Sequence, residues 1–355
     1  MKALIAMSGG VDSSAAAFLT QQAGYEAVGC TMKLLDGPPE AGEALKSCCG
    51  LDDIEDARAV ARKLGMSYYV FNFKDEFSEQ VIGRFVRAYR NGETPNPCID
   101  CNRYLKFGKL LRRAEELNCA CLVTGHYARV VREGGAYLLK KALDASKDQS
   151  YVLYSLTQEQ LARIRFPLGE MRKSEVRALA EAQGLVNARK KDSQDICFVP
   201  DGDYAGFIEG YTGQAGEPGD FVGEQGEMLG RHRGIIHYTV GQRRGLGIPA
   251  AHPLYVRSLS VQDNTVHLGR KETLFSDTAR LTECHWIAGE TPPGPVRCGV
   301  KIRYRHPEQG ATVYPEENGG ALVVFDAPQR AVTPGQAAVF YDGDTVLGGG
   351  RIAST

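Results

Sequence analysis

No stretch of this 355-residue chain is apolar for long enough to cross a membrane. Met1 runs almost directly into an apolar strand pattern, which leaves no room for a secretory leader and points to the cytoplasm. Net charge is nearly absent too. Lys plus Arg (42) balances Asp plus Glu (43), so overall charge selects no partner. There is no repeat period and no low-complexity tract. At 43% hydrophobic residues the chain can bury ordinary cores, and its length suits two or three domains. Ten cysteines without a leader imply reduced thiols, suited to catalysis or metal binding rather than to a disulfide framework.

The densest signal lies at the N-terminus. Ala3-Leu4-Ile5-Ala6 reads as a buried strand, and Ser14 to Gln22 as an Ala-rich helix stopped by Gly24. Between them stands Met7-Ser8-Gly9-Gly10-Val11-Asp12-Ser13-Ser14. A Ser-Gly-Gly turn at a helix start offers unobstructed backbone N–H groups at the positive end of the helix dipole, where phosphate binds. The lysine of G-x-x-x-x-G-K-[ST] is missing. S-G-G-x-D-S is instead the pyrophosphate loop of enzymes that split ATP between its α and β phosphates. Asp12 is then a candidate Mg²⁺ partner.

The first part of the chain alternates strand and helix. Strands are expected near Ala27–Lys33, Ser67–Phe73 and Ala120–Thr124, and helices over Asp53–Leu64, Asp75–Tyr89 and from the Thr94-Pro95-Asn96-Pro97 loop to about Leu117. This rhythm predicts an α/β fold whose parallel sheet binds ligands at the carboxyl ends of its strands. Ala128–Lys141, with Gly134-Gly135 at its middle, reads as a hairpin added to that sheet. Leu34–Lys46 has the composition of a flap but carries no motif. Short helices follow from Gln149 to about Phe207, with Thr157-x-x-Gln160 a credible helix start. Beyond Tyr211 the pattern turns all-β, with two small units, the last a barrel. The expected division is residues 1–207, a nucleotide-binding domain; 208–252, a small β domain; and 253–355, a β-barrel.

Three cysteines stand out. Cys98 and Cys101 form C-I-D-C at a helix start, and Cys197 lies in Asp192-Ser193-Gln194-Asp195-Ile196-Cys197-Phe198. No second Cys-x-x-Cys exists to complete a zinc site, and Cys48-Cys49 are adjacent, a poor pair for one tetrahedral ion. Cys30, Cys119, Cys121, Cys284 and Cys298 lie in apolar settings and read as small hydrophobes. The trio suits a [4Fe–4S] cluster with one open iron. It suits equally a Cys197 persulfide resolved by Cys101 as a disulfide. Basic clusters (Arg84, Arg87 and Arg90; Lys106, Lys109, Arg112 and Arg113; Arg189-Lys190-Lys191; Arg243-Arg244; Lys301, Arg303 and Arg305) suggest a polyanion-binding surface.

Together these motifs, in order, resemble the bacterial tRNA-specific 2-thiouridylases of the ATP pyrophosphatase (PP-loop) superfamily. Further matches are Cys101-Asn102, Leu105-Lys106-Phe107, Thr124-Gly125-His126-Tyr127-Ala128-Arg129, Lys147-Asp148-Gln149-Ser150-Tyr151, His237-Tyr238-Thr239-Val240-Gly241-Gln242-Arg243-Arg244-Gly245-Leu246, Arg303-Tyr304-Arg305 and Thr333-Pro334-Gly335-Gln336. The resemblance implies a cytoplasmic sulfurtransferase that adenylates the wobble uridine of tRNA and inserts sulfur from a donor protein or sulfide. It implies ATP binding by Ala6, Met7, Ser8, Gly9, Gly10, Val11, Asp12 and Ser13, with Met32 and Gly125. It puts Asn96, Pro97 and Cys98 at the target base, and His126, Lys147, Asp148, Gln149, Arg303, Tyr304 and Gln336 on tRNA. Cys101 would be the nucleophile and Cys197 the persulfide carrier. Many members carry Asp-x-x-Cys where this chain has Cys98-Ile99-Asp100-Cys101, and the third thiolate favours the cluster here. Two other readings compete: a small-molecule ATP pyrophosphatase, and a non-catalytic RNA-binding or redox-sensing protein.

Overall fold

The computed structural model describes residues 1–35, 51–190 and 196–354, with Leu51 described by its backbone alone. Most of the expected Leu34–Lys46 flap, the Cys48-Cys49 pair, Lys191 and Asp192–Asp195 lie outside the described residues.

Ala3, Leu4 and Ile5 are completely buried, which fits a central strand covered on both faces. Lys2–Ala6 pairs in parallel with Glu26–Lys33 on one side and Cys121–Val123 on the other. Ser67–Asn72 and Ile164–Arg165 complete a five-stranded, all-parallel sheet. The chain moves outward from the first strand to Glu26–Lys33 and Ser67–Asn72, then crosses back to Cys121–Val123. That reversal opens a crevice at the carboxyl ends of Lys2–Ala6 and Cys121–Val123. The Ser-Gly-Gly loop and Gly125-His126 leave the sheet at those two ends. Helix Val11–Gln22 packs closely between the sheet and helix Lys173–Ala182 because Ala15, Ala16 and Ala17, all fully buried, carry almost no side chain.

The two helices expected next both contain π-turns. Lys74–Phe77 and Gly83–Arg90 are α-helical around a π segment, Ser78–Ile82. The helix that starts at Pro97 is α over Pro97–Asp100, π over Cys101–Leu110 and α over Leu111–Glu116. A π-turn brings a carbonyl near residue i+5, and glycine fits there. A Cβ on Gly83 would stand 3.2 Å from the Ser78 oxygen, and one on Gly108 2.9 Å from the Arg103 oxygen.

The hairpin Arg129–Glu133/Ala136–Lys140 turns through Gly134 and Gly135, both with positive φ. It joins the C-terminal sheet, contrary to expectation. Leu139 and Lys140 pair with Val346 and Thr345, and Arg129 bonds Asp344. Ile164–Arg165 already occupies the edge beside Cys121–Val123. An antiparallel hairpin carries no sequence mark of which sheet edge it will meet.

The middle unit is a four-stranded sheet in the order Tyr255–Ser260, Thr265–Gly269, Gly219–Val222, Met228–His232. The strands on either side of residue 252 thus share one sheet, around Phe221, Tyr238, Val256, Val266 and Leu268. Six strands form the last unit. It closes as a barrel because Phe275–Trp286 pairs with both Ala321–Arg330 and Thr345–Ser354. The barrel is packed tightly onto the first domain. Tyr151, fully buried, donates to the Ala337 carbonyl at 2.8 Å, and Tyr341 and Val346 share its apolar core. Among the described residues no helix is long and apolar enough to cross a membrane.

Candidate active site

Gly9 adopts φ +72°, and a Cβ there would stand 2.4 Å from the Asp53 carbonyl oxygen, so only glycine fits. Gly10 caps helix Val11–Gln22 in extended conformation. The loop is tied by its own hydroxyls. Ser8 N–H donates to Ser13 Oγ at 3.1 Å, and the Ser13 and Ser14 hydroxyls donate to the Gly10 carbonyl at 3.0 and 3.1 Å. Asn187 adds a distant brace, its amide donating to the Gly9 carbonyl and to Ser14 Oγ. Gly125 presses on the same loop: a Cβ there would lie 2.8 Å from Asp12 C and Ser13 N.

Both carboxylate oxygens of Asp12 accept from Lys173 Nζ at 2.7 Å, and one also accepts from Tyr127 Oη at 2.8 Å. Lys173 is buried at the start of helix Lys173–Ala182. It restores a lysine beside a phosphate-type loop that lacks one in sequence. Nothing local marked it, since 161 residues separate the pair. Tyr127 is held in turn by Gln149: the Tyr127 N–H donates to Gln149 Oε1, and the Gln149 N–H to the Tyr127 carbonyl, each at 2.9 Å. The Asp148 carboxylate accepts from Ala142 N–H, Ser150 N–H and Ser150 Oγ, so it builds the turn that presents Lys147 and Gln149. Lys190, paired with Asp53 and Asp56, stands nearby on the cavity wall.

His126 is buried, with its Nδ1 2.6 Å from Thr124 Oγ1 and its Nε2 3.4 Å from Lys106 Nζ. Burial, and then the Lys106 charge, push its pKa well below 6.5. An ammonium only donates, so Nε2 accepts and Nδ1–H donates to Thr124.

At the other end, Asn96 caps the helix that starts at Pro97, its Oδ1 accepting from Cys98 N–H at 3.1 Å. Cys98 is exposed, and Cys101 and Cys197 are half-buried. Cys197 is fixed by its neighbour. Phe198 packs edge-on against Phe77 and Phe85, with ring centroids 5.7 and 5.2 Å away. Cys119, Cys121, Cys284 and Cys298 are thiols outside the cavity. Burial pushes Cys284 and Cys298 up to about 12, as inert core thiols.

A cavity of about 920 Å³ joins the two ends. Ala6, Met7, Ser8, Gly10, Val11, Asp12, Ser13, Met32 and Gly125 line it, with Gly9 directly behind. Pro97, Cys98, Cys101, Cys197, His126, Lys147, Asp148 and Gln149 line it as well. The barrel contributes Lys301, Tyr304, Arg305 and His306, and Tyr304 Oη donates to the Asp148 carbonyl at 3.1 Å. Other expected residues lie elsewhere. Asn96 and Gln336 line a neighbouring groove of about 260 Å³, together with Arg84, Asp100, Arg103 and Glu283. Gln336 donates there to the Thr94 carbonyl at 2.6 Å, docking a barrel loop on the segment that leads to Cys98. Arg303 lines neither and donates to the Arg330 carbonyl. Among the described residues no three Cys, His, Asp or Glu side chains come together to hold a metal ion. As arranged, therefore, Cys98, Cys101 and Cys197 share a cavity but do not make a ready cluster site.

Three family models match in succession: a tRNA methyl transferase HUP domain over residues 1–201, a tRNA methyl transferase PRC-barrel domain over 205–270, and an aminomethyltransferase β-barrel domain over 276–352. The chain is 49% identical to tRNA-specific 2-thiouridylase MnmA 1 of Thermoanaerobacter sp. (strain X514), covering 99% of this chain and 97% of that one. It is 48% identical to the tRNA-specific 2-thiouridylases MnmA of Acetivibrio thermocellus and Moorella thermoacetica, each over 99% of both chains.

Proposed function

Because the chain belongs to the tRNA-specific 2-thiouridylase family, whose members are tRNA sulfurtransferases, we propose that it uses ATP to replace the C2 oxygen of the wobble uridine of tRNA by sulfur. The observation that carries this reading is the single cavity lined by both the Ser8–Ser13 loop and the thiols of Cys101 and Cys197. A small-molecule ATP pyrophosphatase would need only the first.

A carbonyl oxygen is a poor leaving group, and adenylation makes it a good one. The uracil oxygen attacks the α-phosphorus and pyrophosphate leaves toward the Ser-Gly-Gly loop, whose N–H groups stabilise its charge. A Mg²⁺ ion arriving with ATP would meet Asp12 and neutralise the phosphates. In the second step the terminal sulfur of a Cys197 persulfide attacks C2 and AMP departs. The Cys101 thiolate then attacks the Cys197 sulfur. A Cys101–Cys197 disulfide forms and the new sulfur stays on C2. Two thiols are oxidised as the sulfane sulfur is reduced, so each turnover consumes a persulfide donor and a thiol reductant. In this reading the thiols act as persulfide carrier and resolving thiol, supported by the lack of any three Cys, His, Asp or Glu side chains placed to hold a metal ion among the described residues.

The target base must leave the anticodon stack to enter the cavity, at a cost of a few kcal/mol. Pro97 and Cys98 would meet the base. Lys147, Tyr304 and Arg305 at the rim would take tRNA phosphates and sugars, with Asn96, His126, Asp148, Gln149, Arg303 and Gln336 shaping that surface. Such a reaction belongs in the cytoplasm, where tRNA, ATP and reduced thiols coexist.

The test is tRNA transcript, ATP, Mg²⁺ and a persulfide donor, with pyrophosphate and 2-thiouridine measured together. Wild-type protein should yield both, and Cys197→Ser pyrophosphate alone. Full thiolation by Cys197→Ser would remove the persulfide route. Absence of tRNA-dependent pyrophosphate release would favour a non-catalytic RNA-binding protein.

A further inference from the structure

Lys106 belongs neither to the phosphate loop nor to the thiol set, yet it lines the cavity with both. It lies five residues after Cys101 in the π-helical stretch Cys101–Leu110, where turns close between i and i+5. The two residues therefore stand one turn apart on one side of the helix. Lys106 Nζ is 3.4 Å from His126 Nε2. His126 is anchored by Thr124 Oγ1 at 2.6 Å and by the rings of Phe107 and Phe166, each with its centroid 5.7 Å away. Gly125, the preceding residue, abuts Asp12 and Ser13. An unbroken set of contacts thus runs from the phosphate loop through Gly125 and His126 to Lys106, one turn from Cys101.

The partner matters as much as the place. Lys173 and Lys190 also stand at this site, but carboxylates offset their charge: Asp12 for the first, Asp53 and Asp56 for the second. Lys106 is held by a neutral imidazole, which orients an ammonium without cancelling it. Among the described residues no carboxylate pairs with Lys106, so its positive charge faces the cavity that joins the two reacting ends.

We infer that Lys106 is a catalytic residue whose ammonium meets the oxygen bridging uracil C2 and the AMP phosphorus, with His126 as its positioning residue. This rests on the function proposed above. In the first step that oxygen bonds to the α-phosphorus, the bond from phosphorus to the pyrophosphate oxygen breaks, and the N3 proton passes to solvent. In the second, sulfur bonds to C2, the C2–O bond breaks, and the oxygen leaves on AMP with the electron pair. Lys106 acts as a fixed cation, not as an acid or base: it meets the negative charge that this oxygen carries when N3 loses its proton, and again when the C2–O bond breaks and AMP departs.

The experiment measures tRNA-dependent pyrophosphate and AMP formation under single-turnover conditions, with ATP KM and tRNA Kd, for wild type, Lys106→Met, Lys106→Arg and His126→Gln. Loss of one preorganised donor to a developing oxyanion lowers kcat about 10²–10³-fold. Lys106→Met should show that loss with ATP KM and tRNA Kd within about threefold of wild type. Lys106→Arg should recover at least about tenfold of it, and His126→Gln, which still offers an acceptor, should fall between. Thermal melts confirm that the variants are folded, and Lys106→Arg decides the matter where the Met variant is not. A Lys106→Met rate within about threefold of wild type would overturn the inference, as would a loss carried wholly by tRNA Kd, the mark of a phosphate anchor. A wild-type protein that forms no pyrophosphate with tRNA would overturn the underlying function and this inference with it.

Discussion

At the phosphate end of the cavity, Ser8 to Ser13 are consecutive in the chain and bonded to one another. At the thiol end, Cys98 and Cys101 come from one helix, Cys197 from a distant loop and Tyr304 from the barrel. The first end is held by short-range hydrogen bonds and by an ion pair between Asp12 and Lys173. The second depends on tertiary packing: Phe198 against two phenylalanines, and the Gln336 amide on Thr94. The phosphate end exists before any partner arrives. The thiol end depends on the barrel staying docked on the first domain, and among the described residues its three thiols do not gather as a metal site. Activation of the base and delivery of sulfur should therefore be separable by mutation.

The largest separation is expected from Cys197→Ser. Thiolation should fall by about 10³-fold or more, as for loss of any essential nucleophile, with pyrophosphate release within about tenfold of wild type. Cys98→Ala sharpens the point. With Cys101 and Cys197 carrying the sulfur, it should keep thiolation within about tenfold. Iron assay of anaerobically purified protein, with and without that change, provides the second readout. Stoichiometric iron in the wild type, lost together with activity in Cys98→Ala, would instead return the three thiols to a cluster.

Lys173→Met strikes the other end. It leaves the Asp12 carboxylate with Tyr127 but without its cation. Removing one partner of a fully buried pair costs about 3–5 kcal/mol. Here Asp12 is 31% exposed, so a loss of about 1–3 kcal/mol in urea unfolding is expected. Pyrophosphate release should drop about 10–100-fold, and thiolation in proportion. Thiolation lost while pyrophosphate release persists would show that the two ends are not separable in this way.

This pair marks where sequence reading stops. The Ser-Gly-Gly loop was legible because its chemistry is local: glycine where φ is positive, serines within reach of one carbonyl. The parallel sheet and the barrel were legible from apolar rhythm and glycine content. Lys173 was not, because only the packing of its helix against Val11–Gln22 brings it to Asp12. The hairpin at Arg129–Lys140 was recognised as a hairpin but assigned to the wrong sheet, since strand alternation says which face is buried and not which edge is met. The π-turns of the 97–116 helix were also hidden, because a 3.6-residue pattern barely changes when one residue is accommodated within a turn. Most residues that the motifs gathered line one cavity, but Asn96, Gln336 and Arg303 stand off it: Asn96 caps its own helix, Arg303 bonds within the barrel, and Gln336 ties the barrel to the first domain.

A pH experiment tests the neutral imidazole between the two ends. The folded-state pKa of His126 is depressed below 6.5, so the unfolded chain binds the proton more readily. Its contribution to stability is present above pH 6.5 and is lost as pH falls toward the folded value. His232, His237, His285 and His306 are depressed by burial as well, so wild-type stability should decline on acidification with a slope of more than one proton. The difference between wild type and His126→Gln isolates one of them. The variant's slope between pH 6.5 and 5.5 should be shallower by up to about 1.4 kcal/mol per pH unit. Identical slopes would mean that His126 titrates normally and does not hold Lys106 as a neutral acceptor.

The smallest effect expected is at Asn96, which the family resemblance puts at the target base and whose side chain caps the thiol-bearing helix. Loss of an N-cap costs about 1 kcal/mol, and aspartate replaces asparagine there at almost no cost. Asn96→Ala should therefore lower stability by about that amount and thiolation severalfold by loosening Cys98 and Cys101. Pyrophosphate release should hardly change, because the Ser8–Ser13 end does not depend on this helix start. Asn96→Asp should restore both stability and thiolation. If instead both variants lose thiolation equally, with Asn96→Asp as stable as wild type, the amide is needed for what only an amide can do, which is to offer a donor and an acceptor to a base edge. In that case the thiol end reads the nucleotide as well as holding the sulfur, and the division between the two ends becomes one of recognition as much as of construction.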